Sequence, residues 1–384
     1  MRHINQNSVY CLILTFSLLV VSSCIDEHGI IENSQSEIIV TDLKKDSFSV
    51  FLPKNFLNNY HTQKTFSTHN QDYLFGYNDK THNIDVFNLT EKNMTTIKLN
   101  QEGPNSISGQ VNSIFISSLD SIWILANNTV FLINSDGWTN EKYDLVVDTD
   151  EYIINNSNYS NATVNLHYDS DKRALFYITI RMGNFSVFFV NILSLNSNKI
   201  KKVELKYTKA EKGIGKKYGW MQHPNITYNN DIIIYNFPFN SNIYTLNLNT
   251  GVMNSHGGKS AYTQNIASTI GNVSMDGWFR HLIENIHFYE VNYDKFRKHY
   301  YRLHVEGIDY TPKIPINEQM YMKGLYLSAF DNNFNLINEF QLTDNLYNLN
   351  GGWGILRNGF FIIKDNPHME FNSYDYLEYD ILHY

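Results

Sequence analysis

Alternating hydrophobic and polar residues, interrupted by short turns rich in Asn, Asp and Gly, recur along most of the chain. Tyr73–Leu89 (YLFGYNDKTHNIDVFNL) contains two such runs joined by a polar turn. Asp120–Asn134 (DSIWILANNTVFLIN) repeats the form, with Asn127 and Asn128 at the turn. Alternation with a period of two predicts half-buried β-strands, and a polar turn between two of them predicts a hairpin. The chain is therefore expected to be all-β.

The hairpins belong to a longer repeat. Each unit has a leading strand, a central hairpin and a trailing strand, such as Met94–Leu99 or Lys199–Leu205, and recurs about every 45 residues. Four-stranded units of this length are typical of β-propeller blades. Leading strands are predicted near Phe66, Val111, Val164, Ile226, Phe288 and Gly354. Six blades are the favoured count; seven or eight blades, a pair of β-sandwiches and a β-helix are the alternatives.

The two ends of the repeat region complement each other. Asp46–Pro53 (DSFSVFLP) reads as a strand without a unit of its own, and the last unit lacks a trailing strand. If the N-terminal strand completes the C-terminal blade, the ring closes and two exposed sheet edges disappear. In the fifth unit, a five-residue loop would pair Glu290 with Arg302 across the hairpin, which would give a buried charge its partner.

The first residues predict an export signal followed by a lipid attachment site. Leu12–Val21 is largely apolar and shorter than the ~20 residues of a membrane-spanning helix, so it suits the apolar region of a signal peptide. It ends in Val-Ser-Ser-Cys, which looks like a bacterial lipobox. We predict a signal peptide over residues 1–23 and lipidation of Cys24. The alternative is an ordinary signal peptide with a chance cysteine at its cleavage site.

Lipidation would determine the compartment. Residues 24–37 are polar and unpatterned and are expected to form a flexible tether, followed by a single propeller domain over 38–384. Asp26 and Glu27 lie just behind the cysteine, where acidic residues resemble a surface-display signal of Bacteroidota lipoproteins. We expect an outer-membrane lipoprotein held to the membrane by its N-terminal lipid. Display on the cell surface and a merely polar tether both remain open.

Composition narrows the classes of chemistry. A formal net charge of −8 argues against sequence-independent binding of nucleic acid. Cys11 leaves with the predicted signal and Cys24 is consumed by lipid, so thiol catalysis and disulfides are not expected. His299 and His304 lie an odd number of residues apart on one strand and would face opposite ways. We expect no metal, no cofactor and a monomeric domain.

Four short segments resemble a known family. They read YDKFRKHYYR, YLFGYN, IDVFNL and EGPNSI. They resemble a family of Bacteroidota lipoproteins that is classed as a domain of unknown function and grouped with six-bladed β-propellers. The resemblance runs from about Ile38 to the C-terminus. It implies the propeller fold and the envelope compartment, and it brings no catalytic residues.

Segments that precede the leading strands are rich in Trp, Gly, His and Arg. Because the innermost strands of a propeller line its channel, these segments should converge at one channel mouth. The candidate ligand-binding residues are Asn105, Trp220, His223, Trp278, Arg280, His281 and Trp353. Alternatively, these tryptophans and glycines pack crowded blade junctions. The basic loop Tyr207–Trp220 would be a lid, an anion-binding patch or simply a solvated loop.

No catalytic residue is predicted. The sequence has no GxSxG nucleophile elbow and no HExxH motif. The favoured function is a non-catalytic binding module for an envelope protein or a glycan. A hydrolase or lyase acting on an extracellular glycan at the channel mouth is the first alternative, and a structural subunit of an envelope complex is the second.

Overall fold

The protein is an all-β ring of six sheets. The computed structural model describes residues 30–33, 43–103, 105–154, 162–181, 187–206, 215–270, 274–342, 346–349, 351–365 and 375–383. Within these ranges the sheets follow one another along the chain as repeated four-stranded units, which is the arrangement of a six-bladed β-propeller. The predicted fold class and the favoured blade count are confirmed.

Blades 1 to 3 follow one another from the N-terminal side. Blade 1 comprises β3 (Thr62–Ser67), β4 (Asp72–Asn78), β5 (Asn83–Asn88) and β6 (Asn93–Lys98). Blade 2 comprises β7 (Val111–Ser118), β8 (Ser121–Ala126), β9 (Thr129–Ile133) and β10 (Thr139–Asp144). Blade 3 comprises β11 (Glu151–Ile153), β12 (His167–Asp169), β13 (Ala174–Arg181), β14 (Val187–Ser194) and β15 (Lys199–Glu204). Both β11 and β12 pair with β13.

Blades 4 to 6 complete the ring. Blade 4 comprises β16 (Asn225–Asn229), β17 (Ile232–Asn236), β18 (Ile243–Asn247) and β19 (Met253–His256). Blade 5 comprises β20 (His287–Asp294), β21 (His299–Val305), β22 (Leu325–Phe330) and β23 (Leu336–Gln341). Blade 6 comprises β24 (Trp353–Leu356), β25 (Gly359–Ile363), β26 (Tyr376–His383) and β2 (Lys44–Phe51).

The ring closes as predicted from the two incomplete ends. Strand β2 pairs antiparallel with β26 over eight residues, from Lys44 opposite His383 to Phe51 opposite Tyr376. The N-terminal strand thus supplies the outermost strand of the C-terminal blade. Both sheet edges that an open arrangement would expose are removed.

One short part of the predicted tether is described. Strand β1 (Ile30–Asn33) lies parallel to β19, with Ile30 opposite Met253. The predicted signal peptide, the lipidated Cys24 and the remainder of the tether lie outside the described residues.

Local sequence explains the blade geometry. The β8–β9 hairpin turns at Asn127, whose φ of 51° is left-handed, a conformation that Asn tolerates better than most residues. The central strand β4 is buried along its whole length because blades cover both of its faces, whereas the outer strand β10 alternates between half-buried and exposed residues. The alternating sequence pattern is therefore clearest at the rim of the disc.

Within the described ranges, three short helical segments interrupt the strands. A 3₁₀ helix (Gly215–Gln222) precedes β16, α1 (Met275–Glu284) precedes β20, and α2 (Ile316–Tyr321) connects β21 to β22. Ser274 caps α1, since its side chain accepts a hydrogen bond from the Gly277 backbone N–H. None of the helices in the described ranges is long and apolar enough to cross a membrane.

Candidate functional site

The innermost strands of the six blades, β3, β7, β12, β16, β20 and β24, surround a central channel. Its cavity has a volume of about 760 Å³, within the size range of small-molecule sites. We call the face where these inner strands begin the upper face, and the face where they end the lower face. Inner strands begin with buried residues such as Thr62, Val111 and Asn225.

The cavity opens at the lower face. Residues just at or beyond the ends of inner strands line it and are exposed, among them Ser117, Ser170, Asn230 and Phe296, whose exposed fraction is 41%. Towards the upper face, side chains bridge neighbouring inner strands. Asn225 Nδ2, for example, donates to the Phe288 carbonyl oxygen at 3.0 Å. A ligand would therefore enter from the lower face.

Glu290 lines the channel and lies in a β-bulge. In the β20–β21 hairpin Phe288 lies opposite His304 but Val291 lies opposite Arg302, so the register shifts between them. The predicted pairing of Glu290 with Arg302 is wrong, because the turn has four residues, 295–298, and because the bulge inserts an extra residue. Bulges commonly re-aim side chains next to functional sites. Glu290 Oε1 accepts a hydrogen bond from Trp353 Nε1 at 2.6 Å.

Lys64 supplies a cation to the same cavity. Its Nζ donates to Asn165 Oδ1 at 2.8 Å, which links blade 1 to blade 3 past blade 2. The Asn165 amide is oriented by its own Nδ2, which donates to the Ile226 carbonyl oxygen at 2.8 Å. Burial lowers the pKa of Lys64, and the negative charge of Glu290 opposes this effect.

The pKa of Glu290 is shifted in the opposite direction to that of Lys64. Burial raises the pKa of the Glu290 carboxyl, whereas the hydrogen bond from Trp353 and the positive charge of Lys64 act to lower it. The cavity thus holds two opposite buried charges, each hydrogen-bonded to a neutral side chain, and the exposed Lys295 also lines it.

Aromatic side chains form much of the channel wall. The His167 and Tyr228 rings stack with centroids 4.8 Å apart, and Phe115 meets His167 edge-on at the same distance. Burial lowers the pKa of His167 to about 4, so the imidazole is neutral at neutral pH. The stack is therefore an uncharged, flat surface in the channel.

Several buried polar atoms in the cavity have no protein partner in the described part of the chain. These are the amide nitrogen and oxygen of Gln63 and the hydroxyl of Tyr228. An amide group and a hydroxyl group can each donate and accept hydrogen bonds. The lining can therefore bind a ligand that carries several hydroxyl groups.

The lining limits the chemistry of the site. Glu290 is the single carboxyl group among the described residues that line the cavity. Canonical glycosidases use two carboxyl groups. Across the described ranges no group of three or more His, Cys, Asp or Glu side chains is placed to hold a metal ion.

The structure distributes the sequence-predicted site residues over separate places. Trp353 lines the channel and holds Glu290. Asn105 is exposed in the loop before β7, where its carbonyl oxygen accepts a hydrogen bond from Thr139 Oγ1 at 3.1 Å. It belongs to the blade 2 loop and does not line the cavity.

Trp220 and Trp278 form an aromatic cluster at the upper face. Their rings meet edge-to-face with centroids 5.1 Å apart, and Trp220 is 37% exposed. Arg280 is on the same helix as Trp278, and its Cζ atom lies 5.1 Å from the centroid of the Tyr310 ring. It also forms an exposed ion pair with Glu284. This cluster and the channel opening lie on opposite faces of the disc.

The two predicted histidines pack behind this cluster. His281 is buried and its Nε2 contacts the Ser268 carbonyl oxygen at 2.6 Å. The His223 ring packs edge-on against Phe188, and burial lowers the pKa of His223 to about 4. Of the predicted basic loop, residues 207–214 lie outside the described residues.

Sequence reasoning missed the residues that line the cavity most directly: Gln63, Lys64, Asn165, His167, Tyr228 and Glu290. Except for Asn165, which lies two residues before β12, they lie within inner strands, whereas the predicted candidates come from the segments that precede these strands. A usable signal existed for Glu290, because it interrupts a leading strand between Tyr289 and Val291. Lys64 lies among polar residues and offers no such signal. A charge within such a strand needs either a partner or a polar cavity.

Comparisons with known proteins identify the family and the fold. The model of a domain of unknown function (DUF4221) matches residues 27–341. A crystal structure of a member of this family from Bacteroides vulgatus has a TM-score of 0.73 at 16% sequence identity, covering 88% of this chain and 98% of that chain. The structure of a putative exported protein from Bacteroides fragilis gives a TM-score of 0.53 at 13% identity, covering 92% and 98%. No curated protein matches the chain.

At these identities the solved structures support the propeller fold alone. The family model, however, spans most of the chain. The resemblance drawn from the four short segments is confirmed, and this protein belongs to the DUF4221 family of propeller proteins of unknown function.

Proposed function

We propose that this protein is an outer-membrane lipoprotein, anchored through Cys24, whose propeller binds the end of a glycan in its central channel without modifying it. The observation that carries the proposal is the set of buried polar atoms in the cavity without a protein partner, on Gln63 and Tyr228. Buried polar groups in folded proteins nearly always have a hydrogen-bond partner. A bound ligand or ordered water would supply it here.

The remaining lining favours a sugar over a purely apolar ligand. Phe66, Phe115, Tyr228 and Trp353 offer flat aromatic surfaces for the C–H faces of sugar rings. Amide and hydroxyl side chains lie between these rings, which suits a ligand with many hydroxyl groups. The opening at the lower face would admit the end of a chain.

Binding without turnover is favoured over hydrolysis. The described lining holds one carboxyl group, and a hydrolase of the usual kind would need a second. A glycan hydrolase or lyase remains the second candidate. It is favoured by the opposite pKa shifts of Lys64 and Glu290, since such shifts cluster at active sites.

Titration calorimetry of the full-length protein in detergent with a panel of oligosaccharides tests the binding function. We expect at least one saccharide to bind, and Trp353→Leu to abolish binding. The matched control is Trp138→Leu, which changes a tryptophan that is 57% exposed outside the channel and should leave binding intact. Loss of binding in both variants, or no binding by the unaltered protein, would refute the channel as a glycan site.

Mass analysis of the recovered saccharide distinguishes binding from catalysis. An unchanged ligand after prolonged incubation is the expected result. Shortened or unsaturated products that disappear in Glu290→Gln would make the protein a hydrolase or lyase.

Anchoring is tested separately by labelling cells with radioactive palmitate. The full-length protein should carry the label and fractionate with the outer membrane, and Cys24→Ser should lose both properties. The lipid anchor would be contradicted if the Cys24→Ser protein still carried the label, or if the protein with its native sequence did not.

A further inference from the structure

The two buried charges of the channel are hydrogen-bonded to side chains of different blades. Lys64 Nζ is bound to Asn165 of blade 3, and the Glu290 carboxylate is bound to Trp353 of blade 6. In a ring of six blades taken in chain order, blades 3 and 6 face each other across the channel. Each charge is thus held by a neutral partner, and the space between them is left to a ligand.

The unused hydrogen-bonding capacity of these groups defines which groups a ligand must carry. An ammonium group has three N–H donors, and the structure gives Lys64 Nζ one acceptor, Asn165 Oδ1. Two donors are left for an anionic group on the blade 3 side. Glu290 Oε1 accepts a hydrogen bond from the Trp353 N–H, and the Asn292 side chain also hydrogen-bonds the carboxyl group. Because an ionised carboxylate has about four lone-pair sites, it can still accept a hydrogen bond from a ligand donor on the blade 6 side.

We propose, resting on the proposed glycan-binding function, that the ligand is an acidic saccharide whose carboxylate binds Lys64 and whose hydroxyl groups bind Glu290, Gln63 and Tyr228. A carboxylate forms a charge-assisted hydrogen bond with an ammonium group, which is about twice as strong as a neutral one. The hydroxyl groups supply both donors and acceptors to the atoms of Gln63 and Tyr228 that the protein leaves without partners.

An α-amino acid is the competing ligand, since it also carries a carboxylate and a donor cation. Two observations favour the saccharide. A cavity of about 760 Å³ is far larger than a single amino acid requires. An amino acid would also leave the hydroxyl-binding groups Gln63 and Tyr228 without partners.

Calorimetry with matched saccharide pairs tests the inference. Oligomers of galacturonate and glucuronate are compared with oligomers of galactose and glucose of the same length at pH 7. We expect the acidic member to bind about tenfold more tightly. Lys64→Met should remove that preference. Lys98→Met is the matched control, because Lys98 lies exposed on the outer strand of the same blade, and it should retain the preference.

In a second variant, Glu290→Gln, we expect the preference for the acidic saccharide to change in the opposite direction. Removing its negative charge from the channel should increase the preference for the acidic member, because like charges repel at short range in a site of low dielectric. Urea unfolding of both variants shows whether they fold. A folded Glu290→Gln protein without the increase would overturn the assignment of Glu290.

The outcomes separate this inference from the proposed function. Equal binding of acidic and neutral oligomers, abolished by Trp353→Leu, would overturn the acidic ligand and leave the glycan site intact. Binding of free amino acids with no binding of any saccharide would overturn both. An acidic preference that survives in Lys64→Met would refute Lys64 as the binding group.

Discussion

Single residues show how this fold accommodates buried charge. Arg302 has no exposed surface, yet its guanidinium donates to the carbonyl oxygens of Ser241 at 2.7 Å and Gly258 at 2.5 Å. Its Cζ atom lies 4.5 Å from the centroid of the Phe288 ring. Burial lowers the pKa of Arg302 to about 9. The residue ties blade 5 to the β17–β18 loop of blade 4 and to the loop that follows blade 4.

Replacing Arg302 with Lys should therefore be costly although it keeps the charge. A lysine lacks the planar fork that reaches two carbonyl groups at once and stacks on a ring. We expect a loss of about 2–4 kcal/mol in the free energy of unfolding, measured by urea denaturation. Arg280→Lys on the exposed surface of α1 should cost little. Similar losses in the two variants would contradict the proposed role of the fork.

His167 should make the stability depend on pH. Burial lowers its pKa in the folded protein to about 4, from about 6.5 for a histidine in the unfolded chain. Between these values the unfolded chain binds a proton that the folded protein does not, so stability is complete above about pH 6.5 and falls as the pH is lowered towards 4. The slope for this residue is at most about 1.4 kcal/mol per pH unit.

Urea denaturation at pH 7.5 and 4.5 measures this dependence. His167→Phe should reduce the difference between the two pH values, because it keeps an aromatic ring in the stack and removes the titrating group. His69→Gln is the control, since His69 is exposed. An unchanged difference in His167→Phe would show that other groups account for the acid sensitivity.

At the scale of elements, inner strands of neighbouring blades approach closely where glycine permits it. Gly354 of β24 packs against Thr65 of β3, and a methyl group at position 354 would overlap the Thr65 side chain. Gly354→Ala should destabilise the protein by about 1–3 kcal/mol through overpacking. In a Thr65→Ala background the loss should be smaller, because the overlapping atoms are absent. Strictly additive losses in the double-mutant cycle would rule out this contact as the cause.

The elements themselves were largely predictable, whereas the site was not. Hairpins such as β8–β9 depend on local alternation and on Asn127 at the turn, and both are visible in the sequence. The channel site depends on contacts between distant residues: Lys64 and Asn165 are 101 residues apart. Glu290 lies in a bulge of the β20–β21 hairpin, and no local pattern distinguishes the bulged register from the regular one.

At the scale of the whole molecule, the ring has a polar cavity on one face and an aromatic cluster on the other. The cavity opens at the lower face beside Phe296, whereas Trp220 and Trp278 lie at the upper face. The sequence predicts that the tryptophans surround one mouth of the channel, because the segments before all inner strands are expected to meet at the same end of it. Of the residues predicted to bind a ligand, Trp353 is the one that lines the cavity.

Closure of the ring predicts that β2 is required for the fold. Removal of residues up to 52 would leave β26 as an open edge and would leave Asp380 without the Ser47 hydroxyl, which donates to it at 2.6 Å. We expect that truncated protein to aggregate or to unfold at much lower urea concentration than protein truncated only up to residue 37. Equal stability of the two truncated proteins would show that blade 6 does not need β2.

Ring closure also places a constraint on the timing of biosynthesis. Ser47 and Asp380 are 333 residues apart in sequence and meet in one sheet. The ribosome makes β2 before the other strands of the six blades and β26 after them, so β2 must wait without its partner for the last strand. Long-range pairing of this kind slows folding. A chain that is exported from its N-terminus would therefore begin to cross the membrane with the ring still open, and it would be exposed to proteases until the last strand arrives.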